Sequence, residues 1–263
     1  MSDIPPASLG PDQISQFIND GFLKFEHAFS AELAQQGRNA LWAAMGLSPD
    51  RPESWTKPVV RLGFMSGRPF SESANTPILH EAYDRLIGPG RWISPTGLGS
   101  FPVRFPSPHD PGDAGWHVDM SFGTNDPNFM KWRVNVMSQG RALLMLFLFS
   151  DTGSNDAPTR LRKGSHQQIA RQLLPHGEAG LSLAELAADG FASTAYCEEA
   201  VATGQAGTVY LCHPFIVHAA QPHHGTQPRF MAQPALLPKG AFDPALPPSP
   251  VQLAIREACG LRF

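Results

Sequence analysis

Cysteine, charge and long apolar runs are all scarce in this chain, and each scarcity removes a class of protein. The three cysteines (Cys197, Cys212 and Cys259) are odd in number and show no C-x-x-C spacing, so neither a disulfide framework nor a structural zinc site is expected. Charged residues are only 16% of the chain and the formal net charge is −3, with no basic stripe and no block of like charges. That excludes nucleic acid and an anionic membrane surface as expected partners. The longest apolar stretch, residues 142–149 (ALLMLFLF), is far short of the roughly 20 residues that cross a bilayer. The opening MSDIPPASLGPDQ has no positively charged segment followed by an apolar run, so no secretory leader is expected. The expectation is a soluble, cytoplasmic protein whose partner is a small-molecule substrate.

Proline and glycine are plentiful by contrast. The 26 prolines and 24 glycines are spread along the chain, which suits many short strands joined by turns and opposes long uninterrupted helices. A chain of 263 residues holds one large domain with a full core and is short for two. Residues 1–90 read as a mainly helical flanking region. Helices are predicted over 11–19, from an N-cap at Ser30 to about 45, and over 76–86, with a strand at 22–25 and loop from 50 to about 75. From about 91 to 240 the texture is strand-like, with runs at 116–120, 132–137, 142–150, 159–162, 208–212, 215–219 and 230–237. Helical interludes are expected at 165–174 and 181–188, and residues 241–263 close the chain with a helix at 248–259. The picture is mostly β: a sandwich or barrel with helices packed outside it.

Ten histidines must be sorted before any is taken for a ligand. The strongest candidate lies in Gly115-Trp116-His117-Val118-Asp119-Met120. Side chains alternate along a strand, so His117 and Asp119 share one face and can offer a nitrogen and an oxygen to one cation. The second half is the apolar run TVYLCHPFIVHA at residues 208–219, which carries His213 and His218. Pro214 interrupts the ladder between them, so alternation does not choose which one faces the site. Turn residues follow, and then Arg229, eleven residues past His218. A hairpin would return Arg229 beside His218, where a planar cation grips a carboxylate with two parallel hydrogen bonds. Two histidines and one carboxylate on one face of a metal leave three positions open, the arrangement suited to non-haem Fe(II).

These residues resemble the phytanoyl-CoA dioxygenase family of Fe(II)/2-oxoglutarate-dependent oxygenases over most of the chain. Residues 10–25 (GPDQISQFINDGFLKF) are similar to the family's opening helix, Asp-Gly-Phe and short strand. Trp116–Asp119 matches its W-H-x-D segment, and residues 155–166 (NDAPTRLRKGSH) resemble its mid-chain segment ending in Gly-Ser-His. Residues 207–229 (GTVYLCHPFIVHAAQPHHGTQPR) resemble its last motif. The resemblance implies a double-stranded β-helix (jelly-roll) core and iron ligands His117, Asp119 and His218, which settles the histidine choice. It implies Arg229 on the far carboxylate of 2-oxoglutarate, with O2 as the other co-substrate and succinate and CO2 as products. Related halogenases lack the ligand carboxylate, so Asp119 implies hydroxylation or a related oxidation instead.

Two departures stand out. The family's serine two residues after the distal histidine is Ala220 here, and its proline before Gly-Ser-His is Lys163. Further candidates for holding the co-substrate are Asn135, if the Arg133/Asn135 face lines the cavity, and Thr159 through its hydroxyl. His166 reads as a structural hydrogen-bond partner, His109 as a loop residue and His223 and His224 as turn residues, while Phe101, Phe105 and Phe122 are candidates to line a substrate pocket. The competing functions are a cupin-like metalloenzyme that does not use 2-oxoglutarate and a non-catalytic jelly-roll that binds a metabolite. Intact His117, Asp119, His218 and Arg229 oppose the second.

Overall fold

The elements begin and end where local chemistry directs. The computed structural model describes residues 9–241 and 245–261; the first eight residues of the opening and the last two of the closing region lie outside them. Helix α1 (Pro11–Asp20) starts with proline, and Gln13 Oε1 accepts from Gly10 N at 3.1 Å. Gly21, at φ +85°, ends it and turns the chain into strand β1 (Phe22–Phe25). Ser30 caps α2 (Ala31–Met45), its Oγ accepting from Leu33 N at 3.1 Å. Then come β2 (Val59–Leu62), α3 (Arg68–Ala74), α4 (Pro77–Ile87), β3 (Trp92–Ile93) and β4 (Phe101–Arg104). The core strands follow: β5 (Arg133–Val134), β6 (Leu143–Leu148) and β7 (Arg160–Arg162), then α5 (Ser165–Leu173), β8 (Leu181–Ser182) and α6 (Leu183–Leu186). The chain continues through β9 (Glu199–Val201), β10 (Val209–Cys212), β11 (His218–Ala219), β12 (Met231–Ala232), β13 (Ala235–Pro238) and α7 (Pro250–Ala258).

The main sheet runs in the order β1-β10-β6-β13-β3, with β12 also paired to β6, and every pairing is antiparallel. A smaller sheet, β11-β7-β9, faces it. Alternation along β6 and β10 divides the interior in two. Leu144, Leu146, Leu148, Tyr210 and Cys212 join Leu161, Ile216 and Met231 between the sheets. Met145, Phe147, Val209 and Leu211 instead meet the helices, among Phe17, Leu41 and Leu79. Because both faces of β6 are covered, all six of its residues are buried, which explains an unbroken apolar run. Truncating one of its large side chains, as in Phe147→Ala, removes about 3–5 kcal/mol of stability. The sheets do not close on themselves, and among the described residues no helix is long and apolar enough to cross a membrane.

Several expected elements differ. Residues 50–75 hold β2, paired with β4, and α3, where loop was expected; proline at the first turn of α3 starts a helix there instead of breaking one. Residues 116–120 are not a strand: the ladder there is a single bridge, His117 opposite His218. The run expected at 132–137 pairs only over β5, because the chain turns at Ser138 (φ +50°). The run expected at 215–219 pairs only over β11, and that expected at 230–237 is split into β12 and β13 at Gln233-Pro234. Phe101 and Phe105 are fully buried in the core against the helices, Phe101 edge-on to Phe70 at 5.2 Å.

Two buried histidines tie α1, α5 and α7 to the sheet. His166 Nε2 lies 3.0 Å from Ile18 O, His213 Nε2 lies 3.3 Å from Val251 O, and the two rings meet at 4.7 Å with their planes tilted by 39°. Burial holds His166 down to about 4 and His213 well below its usual value. Below pH 6.5 the unfolded chain takes up these protons while the native state refuses them, so stability falls with pH until about 4 and then levels for His166. The loss from His166 alone is on the order of 3 kcal/mol. Urea unfolding of the metal-free protein at pH 7.5 and 5 should show about 2 kcal/mol of that loss, with the rest below pH 5, and His166→Gln should reduce the slope by that amount. An unchanged pH slope in that variant would refute the assignment.

Candidate metal centre

The bridge between His117 and His218 is the scaffold of the site. Their backbones exchange two hydrogen bonds, His117 N to His218 O at 3.0 Å and His218 N to His117 O at 2.9 Å, which sets the rings 4.2 Å apart. Each ring is oriented by its own chain: His117 Nδ1 lies 3.0 Å from Gly115 O and His218 Nδ1 lies 3.1 Å from Ile216 O. A donor Nδ1–H leaves each Nε2 with a bare lone pair. Both lone pairs meet Asp119, whose Oδ1 is 3.9 Å from His117 Nε2 and 3.7 Å from His218 Nε2. The three ligand atoms lie within 4.8 Å of one another. Burial pushes His218 down to about 4, helped by the neighbouring His117, so the imidazole is neutral at physiological pH as a ligand must be. Burial works against the charged Asp119 carboxyl, but Arg141, His218 and His117 outweigh it and hold its pKa below the usual range.

Trp116 anchors this segment. Its indole ring takes two guanidinium groups of β7, Arg160 at 4.5 Å and Arg162 at 4.0 Å from the centroid. Arg160 also donates to Ala114 O at 3.1 Å and Ala220 O at 3.4 Å, so one side chain ties the segment before His117 to the one after His218.

Next to His117 lies a cavity of about 190 Å³ that Thr159, Ala220, Arg104 and Arg229 also line. Arg229 is placed on it by a bridge to Arg104: their backbones exchange hydrogen bonds of 3.0 and 2.8 Å. Arg229 is buried, donating to Ala157 O and, at 3.0 Å, to Pro102 O, while its Nε has no partner. Among the described residues no carboxylate lies within ion-pair distance of it. Burial and the adjacent Arg104 push its pKa down to about 9, and it stays charged at neutral pH. Arg104 does have a counter-ion: its Nη2 is 2.7 Å from Asp113 Oδ2, which also pairs with Arg61. The loop before His117 is thus pinned by a carboxylate to the arginine wall of the cavity.

The structure therefore brings His117, Asp119 and His218 together and places Thr159 and Arg229 on a cavity shared with His117. It does not bring Asn135 there. Asn135 is buried in a turn, where Oδ1 accepts from Gln139 N at 3.1 Å and Nδ2 donates to Glu178 O at 2.9 Å. His213 lies under the helices, far from alternation with His218, and Ser165 of the Gly-Ser-His segment accepts from Val217 N at 2.9 Å, bracing the strand that carries His218. His223, expected in an open turn, is buried, with Nδ1 accepting from Gly225 N at 3.1 Å. Arg141, Arg104 and Asp113 went unsignalled in the sequence, since none has a diagnostic spacing. Arg160-x-Arg162, two cations on one face of a strand, was a pattern that could have been read, although the tryptophan they meet is remote in the sequence.

No protein-family profile and no curated protein matches this sequence. Solved structures do match in shape. The GlcNAc-inducible protein GIG2 of Candida albicans superposes with a TM-score of 0.62 at 12% identity, covering 90% of this chain and 65% of that one. This chain therefore spans about two thirds of the length of GIG2. SnoK, a non-haem α-ketoglutarate-dependent carbocyclase of nogalamycin biosynthesis, gives 0.60 at 14% identity, covering 90% and 88%. HygX of Streptomyces hygroscopicus, solved with nickel and 2-oxoglutarate, gives 0.53 at 17% identity, covering 86% of each chain. The chain has the fold of these proteins, the jelly-roll core with flanking helices that 2-oxoglutarate-dependent oxygenases share.

Proposed function

We propose that this chain is a non-haem Fe(II)- and 2-oxoglutarate-dependent dioxygenase, folded as one domain, that oxidises a small organic metabolite and releases succinate and CO2. The observation that carries the reading is a buried cation, Arg229, with no carboxylate within ion-pair distance among the described residues, on a cavity that it shares with His117, one member of a His/Asp/His set with two bare imidazole nitrogens. An uncompensated buried guanidinium is costly, and a ligand carboxylate relieves that cost. The donor set, two nitrogens and one hard oxygen, suits Fe(II). SnoK depends on α-ketoglutarate and HygX binds it beside a metal, on the same fold.

His117, Asp119 and His218 would hold the metal, and Arg229 the far carboxylate of 2-oxoglutarate. Bound together with O2, these groups supply the oxidising power by oxidative decarboxylation of the keto acid. The chain's own part is positioning. Arg229 is preorganised by two backbone carbonyls, so little side-chain freedom is lost on binding. Ala220 offers no hydroxyl, and the hydroxyls of Ser100 and Thr159 on the same cavity wall are the available replacements. The Asp113 pairs hold the loop before His117 against the arginines.

Anaerobic titration with Fe(II) and then 2-oxoglutarate, followed by visible absorption, should produce a metal-to-ligand charge-transfer band. Absence of the band in the wild-type protein would remove the co-substrate from the reading and leave the cupin-like alternative. Succinate release over a panel of metabolites then identifies the substrate.

A further inference from the structure

Resting on the metal reading above, we propose that Arg141 is a positioning residue that restricts Asp119 to one metal-binding oxygen. The two oxygens of Asp119 meet different partners. Oδ1 faces both imidazoles, at 3.7 and 3.9 Å from their Nε2 atoms. Oδ2 faces Arg141, whose Nη1 lies 3.1 Å away. At that distance the guanidinium charge acts on Oδ2 by Coulomb attraction without an aligned hydrogen bond, and repels a second cation from that oxygen. The consequence is a count of coordination positions. With one oxygen from the carboxylate, an octahedral ion keeps three sites, enough for a chelating keto acid and dioxygen; with two, it keeps only two.

Arg141 is placed with some care. Its side chain is only 13% exposed, and Nε and Nη1 have no aligned hydrogen-bond partner among the described residues, which leaves the ion pair with Asp119 as the main compensation for its charge. Nη2 is 3.5 Å from Met120 O, next to the ligand. The turn that delivers it uses left-handed backbone at Ser138 (φ +50°) and Gly140 (φ +82°). Ser138 Oγ donates to Arg141 O at 2.6 Å, and Asn135 holds Gln139 and Glu178 around the turn. A Cβ at Gly140 would come within 2.5 Å of Ser121 O, so only glycine lets the turn press against the segment just past Asp119. Asn135 thus acts at a distance, through the turn.

The test uses Mn(II) alone, without co-substrate, because the ion stays six-coordinate and water-proton relaxation counts the waters left on it. Arg141→Met should still bind Mn(II), within about tenfold of wild type, but with about one third less relaxation enhancement per bound ion, as the second oxygen of Asp119 displaces one of three waters. Its subsequent affinity for 2-oxoglutarate should fall by about tenfold or more. Arg141→Lys, which restores a cation to Oδ2, should recover most of the wild-type enhancement; a residue needed only for packing gives no such recovery. Arg141→Gln serves if the methionine variant does not fold by circular dichroism. Equal enhancement per bound ion in wild type and the neutral variants would overturn the proposal while leaving the metal site standing. No Mn(II) binding by wild type would instead remove the metal reading itself, and this inference with it.

Discussion

Arg229→Met is expected to abolish measurable 2-oxoglutarate binding without lowering the melting temperature of the ligand-free protein. The first effect follows from the missing counter-ion. Removing one partner of a buried charge pair typically costs about 3–5 kcal/mol, which is roughly a 10²–10³-fold loss of affinity. The second follows from the same fact read in the absence of ligand. Arg229 is a buried cation beside another arginine, bonded to two carbonyls, with no carboxylate within ion-pair distance among the described residues and Asp113 acting on it only from farther off. Methionine of similar length gives up those two hydrogen bonds, at about 1 kcal/mol each, and removes a charge penalty of comparable or larger size. Calorimetry of the ligand-free protein and calorimetric titration of 2-oxoglutarate into the metal-loaded protein check the two halves. A fall of many degrees in melting temperature would show that the guanidinium is a structural tie instead of a cation awaiting an anion.

Asp119→Ala is expected to show the opposite stability effect with an equally large loss of function. It takes away the oxygen ligand, so metal affinity and substrate-dependent succinate release should fall by at least ~10³-fold. It also strips Arg141 of its carboxylate, so a largely buried guanidinium is left alone and the metal-free protein should melt lower than wild type. The pair of variants is diagnostic together: one removes a cation that lacks a partner, the other creates one. Equal melting shifts of the same sign would contradict the charge assignment of both sites.

What could be read from the residues alone was local. The caps at Ser30 and Gly21 act within three or four residues, and backbone geometry obliges them wherever the chain goes. The apolar run at 142–149 announced a strand, and the fold shows that both of its faces are covered. His117 and Asp119 could be placed on one side because two residues of extended backbone suffice for alternation, even though the expected strand proved to be a single bridge. The jelly-roll itself was visible through four ordered motifs and is the fold that the solved structures share.

The rest depended on contacts between distant segments. Spacing left His213 and His218 tied, because Pro214 broke the alternation between them. In the fold His213 turns under α1 and α7, to Val251, while His218 pairs with His117. Asn135 shares a face with Arg133 in the sequence pattern, yet the turn beginning at Ser138 takes its side chain away from the cavity. Arg141, 22 positions after Asp119, and Asp113, which bridges Arg61 and Arg104, carry no motif that signals them. The sequence by itself determined which residues could be ligands and on which side of the backbone they stand, because periodicity and capping are decided within a turn of chain. Only the tertiary structure decided where the charges lie: that Asp119 has an arginine behind it and that Arg229, among the described residues, has no carboxylate within ion-pair distance. Charge pairing in a buried site is a property of segments brought together from far apart, and no short-range pattern encodes it.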